Sequence, residues 1–266
     1  VVDDALKGHY YILTLAGDFS TGNYAVLFGS SDTNDPSGTW TTYEVDLGAQ
    51  FIQDAPLFGY SKRWFTLTTV QYDTASPNDF NSAGVILMSL DDMIGGTLAT
   101  IYGVDDTNFF SLSPVETLDA NVNDHYMINN LGSDSDTGYL YIVHIGGTTA
   151  APTYNYDDYA VKASPWTGTP AYAPQKNTTN KIYAGSTRLR TAQYRNAQIW
   201  TCHTVYLPEA APTRAVAQWW QIKLSNFTVT QFGRVETANN SIMYGYPSLA
   251  VNKHDDMLMG YTYFST

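Results

Sequence analysis

Apolar positions in this chain gather in short runs separated by polar clusters, and they almost never fall at the i, i+3, i+4 spacing of an amphipathic helix. The runs are rich in Tyr, Thr, Val, Ile and Trp, and Gly, Asn, Asp, Pro or Ser stand between them, which is the pattern of strands joined by turns. They fall into sets. The first holds "YYILTLAG" (10–17), "YAVLFGSS" (24–31) and "WTTYEVDL" (40–47). The second holds "APLFGY" (55–60), "RWFTLTTV" (63–70), "GVILMSL" (84–90) and "LATIYGV" (98–104). The third holds "VETLDANV" (115–122), "HYMINNL" (125–131), "YLYIVHIG" (139–146) and "DYAVKAS" (158–164). The fourth holds "TRLRTAQY" (187–194), "AQIWTCHTVYL" (197–207), "AVAQWWQIKL" (215–224) and "GRVETA" (233–238); "YPSLAVN" (246–252) and "DMLMGYTYF" (256–264) open a fifth. One helical turn is expected at "SLDDMIGG", where Asp91 and Asp92 suit a helix start and Gly95 and Gly96 an end.

Four strands per set, with sets roughly 60 residues apart, predict an all-β chain: a β-propeller of about five four-stranded blades in a single domain over residues 1–266. A four-stranded sheet cannot bury both faces alone, and radial packing against its neighbours solves that problem. The alternatives are another all-β sandwich and a fragment of a larger propeller. Because the first set has three clear strands and the last has two, a blade mixing strands from both ends of the chain is expected, with "YYILTLAG" beside the last strands.

Composition narrows the partners. Lys and Arg number 13 against 25 Asp and Glu, a formal net charge of −12, so nucleic acid and anionic membrane surfaces are repelled at long range. No run of 18 apolar residues is present, so no membrane-inserting helix is expected. The lone Cys202 cannot form an internal disulfide, and its apolar surroundings read as core. The 21 Tyr and 6 Trp suit strands and also binding surfaces. Low Lys, high Asn, Thr, Ser and Gly, and the acidic balance point to an extracellular or cell-surface setting.

"SSDTNDPSGTWTTY" (30–43) resembles a degenerate Asp-box, the hairpin of sialidase-like propellers, with Ser30, Asp32, Gly38, Thr39 and Trp40 in its parts and extra residues between Asp32 and Gly38. "YPSLAVNKHDDMLMGYTYFS" and "GSTRLRTAQYRNAQIWTCHTV" are similar to sialidase-like repeats of large secreted bacterial proteins. The resemblance implies a propeller and an extracellular setting; the box itself is structural.

Candidate chemistry is sparse. Asp54 and Asp119, read on strands of different blades, are the pair a glycosidase would need, although no Glu completes a catalytic set. Arg188 and Arg190 flank Leu189, share a strand face in this reading, and suit a sugar carboxylate. Tyr154, Tyr156, Tyr159, Trp166 and Tyr172 lie on a long connection that offers stacking rings. Asp134 and Asp136 in "LGSDSDTGY" alternate as hard-cation ligands do, making calcium the one cofactor to consider; ordinary turn chemistry explains them equally. The function expected is non-catalytic binding of a glycan or protein through loops at a channel mouth. A glycoside hydrolase and a self-associating surface protein are the alternatives.

Overall fold

The computed structural model describes residues 1–266 apart from 1, 5, 19–21, 76–78, 135–136 and 238–240, and apart from the side chains of 18, 131–134, 157–159 and 161. The chain is all-β, with one short helix among the described residues, and it forms two compact units. The first comprises Val1–Met127 and His144–Tyr154, the second Ile128–Val143 and Asn155–Thr266.

The first unit opens with an antiparallel meander: β1 (Val2–Asp4), β2 (His9–Asp18), β3 (Asn23–Ser31) and β4 (Trp40–Gly48), in that order. A second antiparallel run follows: β5 (Phe51–Tyr60), β6 (Trp64–Asp73), β7 (Phe80–Ser89) and β8 (Ile101–Asp106). Burial follows position within the run. The central strand β6 is buried from Trp64 to Gln71, whereas the edge strand β8 alternates and is largely exposed. The one helical turn, α1 (Leu90–Ile94), is capped by Ser89, whose Oγ accepts from the Asp92 N–H at 3.3 Å, and it ends at Gly95. Its Leu90 and Met93 join a core of Tyr11, Phe28, Tyr60, Phe65 and Leu67. Tyr11 meets Tyr60 and Phe65 edge-on at 5.3 and 5.4 Å, and its hydroxyl donates to Asp4 at 2.8 Å.

Short strands β9 (Leu112–Pro114) and β10 (Glu116–Thr117) come next, β10 pairing parallel with β5 at Tyr60. Then come β11 (His125–Asp134), β12 (Thr137–Thr148) and β13 (Ala151–Lys162), whose residues are shared between the two units. In the second unit β14 (Ala173–Pro174) and β15 (Lys181–Ile182) form a small pair. A third antiparallel run contains β16 (Thr191–Arg195), β17 (Gln198–Leu207), β18 (Arg214–Lys223) and β19 (Thr228–Val235). The hairpin β20 (Ile242–Val251) and β21 (Met257–Ser265) ends the chain.

These consecutive four-strand meanders are the blade-like sets expected from the pattern. Three local expectations change. β2 pairs with β1 and β3, and β20 and β21 pair with each other, so among the described residues no sheet mixes strands from the two ends of the chain. Residues 118–122 are not strand, because β10 stops at Thr117 and a turn follows. The stretch read as a long loop, 154–160, is strand β13.

Two bulges share one local sequence logic. In β5 the register against β6 shifts between Asp54 and Leu57, with Ala55 at φ 52° before Pro56. In β20 it shifts between Gly245 and Ser248, with Tyr246 at φ 50° before Pro247. A proline cannot give an N–H to the ladder, so it is accommodated where a bulge leaves a residue unpaired.

Candidate functional site

The second unit gathers three exposed tyrosines. Tyr172 and Tyr183 flank the β14–β15 pair, where Ala173 faces Ile182, and their rings lie 6.1 Å apart at 51°. Tyr246 is delivered from the β20 bulge, and its hydroxyl donates to the Tyr183 carbonyl at 3.3 Å. The three residues are 54%, 42% and 54% exposed.

Residues beneath the rings hold them in place. The Tyr246 N–H donates to Thr204 Oγ1 at 2.9 Å, and Thr204 donates to the Ala184 carbonyl at 3.4 Å. Tyr206, fully buried, donates to the Gly185 carbonyl at 2.5 Å. Gly185 has φ 104°, a conformation L side chains rarely adopt, and a Cβ there would press on the Tyr246 ring at 3.1 Å. Partial burial, together with the phenols of Tyr246 and Tyr172, raises the Tyr183 phenol above its ordinary value, while the nearby Arg188 cation pulls it down. Arg188 lies near enough for its charge to act on the Tyr183 phenol. The patch offers open ring faces, phenolic hydroxyls and one guanidinium.

The other sequence candidates disperse. Arg188 and Arg190 precede β16 in irregular backbone, so the strand-face argument does not apply, although Leu189 between them is buried and Arg190 is exposed. Trp166 is not a stacking platform: it is 2% exposed and meets His203 and Trp220 edge-on at 5.2 and 5.7 Å. Tyr154, half-buried, donates to Asp106 at 2.8 Å, which ties it to the first unit's β8; Tyr156 is exposed on β13. The Tyr159 side chain lies outside the described residues, as do Asp136 and the Asp134 side chain. Among the described residues no group of three or more His, Cys, Asp or Glu is placed to hold a metal ion.

Asp54 sits exposed at the β5 bulge, while Asp119 lines a cavity of about 210 Å³ with Tyr60 and Ser61 at the other end of that strand. The strand between spans roughly 20 Å at about 3.3 Å per residue, against the roughly 5–10 Å a glycosidase pair requires. The two carboxylates are not brought together.

His203 is a further residue with a strong environment. It is buried; its Nε2 accepts from Trp220 and Gln218, and its Nδ1 donates to the Thr187 carbonyl. Gln218 in turn accepts from Arg234 Nε at 2.7 Å. With its hydrogen bonds filled inside the core, it serves structure.

Sequence reading singled out Arg188 and Tyr172 but missed Tyr183 and Tyr246. The signal for Tyr246 was its outward phase in the alternation of "IMYGYPSLAV".

In the hairpin of residues 30–43, Asp32 accepts from Thr41 Oγ1 at 2.9 Å, and its N–H donates to the Thr39 carbonyl at 2.9 Å. The hydrogen bonds from Thr39 and Thr41 lower its carboxyl below the ordinary value. The acid therefore ties the turn. No protein-family model and no curated protein sequence matches the chain. Sequence families thus give the sialidase-like resemblance no support. Among solved structures, the WD40 domain of SCAP from fission yeast is similar with a TM-score of 0.28 and 8% identity, over 95% of this chain and 74% of that one.

Proposed function

We propose that this chain is a non-catalytic binding module of an extracellular or cell-surface protein, and that it holds a saccharide across Tyr172, Tyr183 and Tyr246. The observation that carries this reading is Tyr246. The β20 bulge presents it at φ 50°, 54% exposed, with its hydroxyl on the Tyr183 carbonyl and the Tyr172 and Tyr183 rings 6.1 Å apart beside it.

A pyranose presents an apolar C–H face bordered by hydroxyls, which matches phenol rings whose faces are open and whose edges carry hydroxyls. Arg188 adds a site for a sugar carboxylate. The repeated four-stranded meanders support a propeller-like scaffold for such a site, and calcium has no assigned part in it.

The test is affinity electrophoresis of the purified chain through neutral and uronate-containing polysaccharides, with Tyr183→Ala and Tyr172→Ala alongside. Retardation by one polysaccharide that falls at least tenfold in both variants supports the reading. Retardation unchanged by either substitution, or none with any polysaccharide, removes it.

A second reading, association with another copy of this chain, rests on β21. That strand pairs only with β20 among the described residues, and it exposes Leu258 by 76% and Tyr263 by 55%. Sedimentation velocity across a hundredfold concentration range distinguishes the two: an s-value that does not change with concentration excludes association.

A further inference from the structure

The first unit contains a cavity of about 340 Å³, within the range of small-molecule sites, that plays no part in the saccharide reading. Its floor is one face of the β5–β8 run. Gln53, Gln71 and Ser82 stand opposite one another across β5, β6 and β7, and Thr69, Gly84 and Asp105 form the next row across β6, β7 and β8. Gln53, Thr69 and Gln71 are at least 94% buried, at 2%, 5% and 6% exposure.

The hydrogen bonds give this floor a direction. Thr69 donates to the Gln53 carbonyl oxygen at 2.7 Å, and Ser82 donates to the Gln71 carbonyl oxygen at 2.5 Å. Each amide is therefore pinned by its oxygen and turns its NH₂ group, a pure donor, toward other partners. At Gly84 a Cβ would lie 2.6 Å from Gln71 Nε2 and 2.7 Å from Thr69 Oγ1, so glycine keeps the polar floor uncovered. Leu47 and Ile86 add apolar surface to the lining. Asp46 and Asp105, both exposed, stand at the lining's edge, and no Lys or Arg is among the described residues that line it.

We propose that this cavity is a binding site for a small oxygen-rich amine of the amino-sugar class. Hydroxyl or carbonyl oxygens meet the amide donors of Gln53 and Gln71, the carbon skeleton lies against Leu47 and Ile86, and the protonated amine pairs with Asp46 and Asp105. An anion has no cationic partner there and meets two carboxylates, which excludes it.

The experiment is calorimetric titration of the full chain at pH 6, where the amine is protonated, with glucosamine, N-acetylglucosamine and glucuronate as probes. Glucosamine is expected to bind at least tenfold more tightly than N-acetylglucosamine, which keeps the ring but loses the charge, and glucuronate is expected not to bind. Asp46→Asn combined with Asp105→Asn should abolish the glucosamine preference; both positions are exposed, and Asn keeps the oxygen that accepts the Gly48 N–H. Tyr183→Ala should leave glucosamine binding unchanged, which separates this site from the tyrosine cluster. No glucosamine binding, binding equal to that of glucuronate, or a preference surviving the double Asn variant overturns the proposal.

Discussion

The indole N–H of Trp220 donates to Nε2 of His203 at 3.1 Å, which leaves the histidine proton on Nδ1, where the Thr187 carbonyl accepts it at 3.0 Å. This pairing makes the neutral ring the only form that fits. A proton on Nε2 would face two donors, Trp220 and Gln218, inside the core.

Acid should therefore begin to destabilise the chain about two pH units above the range in which its carboxylates titrate. Burial lowers His203 from 6.5 to about 4 and His125 to about 3. Both folded values lie below the unfolded one, so the unfolded state takes up protons first. The stabilisation is complete above about pH 6.5 and is lost as pH falls toward 4 and then 3, on the order of 3 kcal/mol for His203. Urea midpoints at pH 7, 5.5 and 4.5 read this directly, and a flat series would refute the assignment.

Removing the acceptor should be as damaging as charging it. His203→Leu leaves the Trp220 N–H and the Gln218 amide without their buried partner, at a cost of about 2–4 kcal/mol. Chemical unfolding at pH 7 measures it; a loss below about 0.5 kcal/mol would mean the network is dispensable.

Gly138 is a packing constraint on the same cluster. A Cβ there would overlap the Trp166 indole, which is itself locked against His203 and Trp220. Gly138→Ala is expected to lower stability by about 1–3 kcal/mol through forced displacement of the ring, measured as a fall in Tm. A variant as stable as the parent would show that the indole has room to move.

Cys202 should be silent until the protein opens. It is 1% exposed, and burial pushes its thiol up to about 12. Ellman's reagent at pH 8 is expected to label it only at the rate of unfolding, and rapid stoichiometric labelling of native protein would contradict its burial.

Tyr246 separates binding from stability. Asn tolerates positive φ, so Tyr246→Asn should keep Tm within a few degrees while saccharide retention falls at least tenfold. Loss of fold together with loss of binding would instead make the ring a structural element.

Much of the fold was legible because the strands declare themselves. β20 reads Met243, Gly245, Leu249 and Val251 inward with Tyr246, Ser248 and Ala250 outward, a period of two that survives the bulge. β17 is buried from Ile199 to Leu207, in keeping with the reading of Cys202 as core. The site was less legible. Tyr172, Tyr183, Arg188 and Tyr246 come from separate elements, and their meeting depends on the β14–β15 pair and the Tyr206–Gly185 hydrogen bond, which no local pattern encodes. Trp166 misled because a Pro- and Gly-rich stretch looks like surface, whereas the backbone carbonyls of Ser164 and Pro165 accept from the Arg234 guanidinium and the indole enters the core.

The two proline bulges share one backbone conformation. At the one in β5 the residue with positive φ is Ala55, and at the one in β20 it is Tyr246, with φ differing by only 2°. A methyl group is enough to build that kink, so the kink does not require the aromatic ring. The position behaves as a socket: its backbone is set by the neighbouring proline and strand register, and its side chain is left to vary. A single codon change there can alter what the surface recognises while the hairpin beneath it stays as it is.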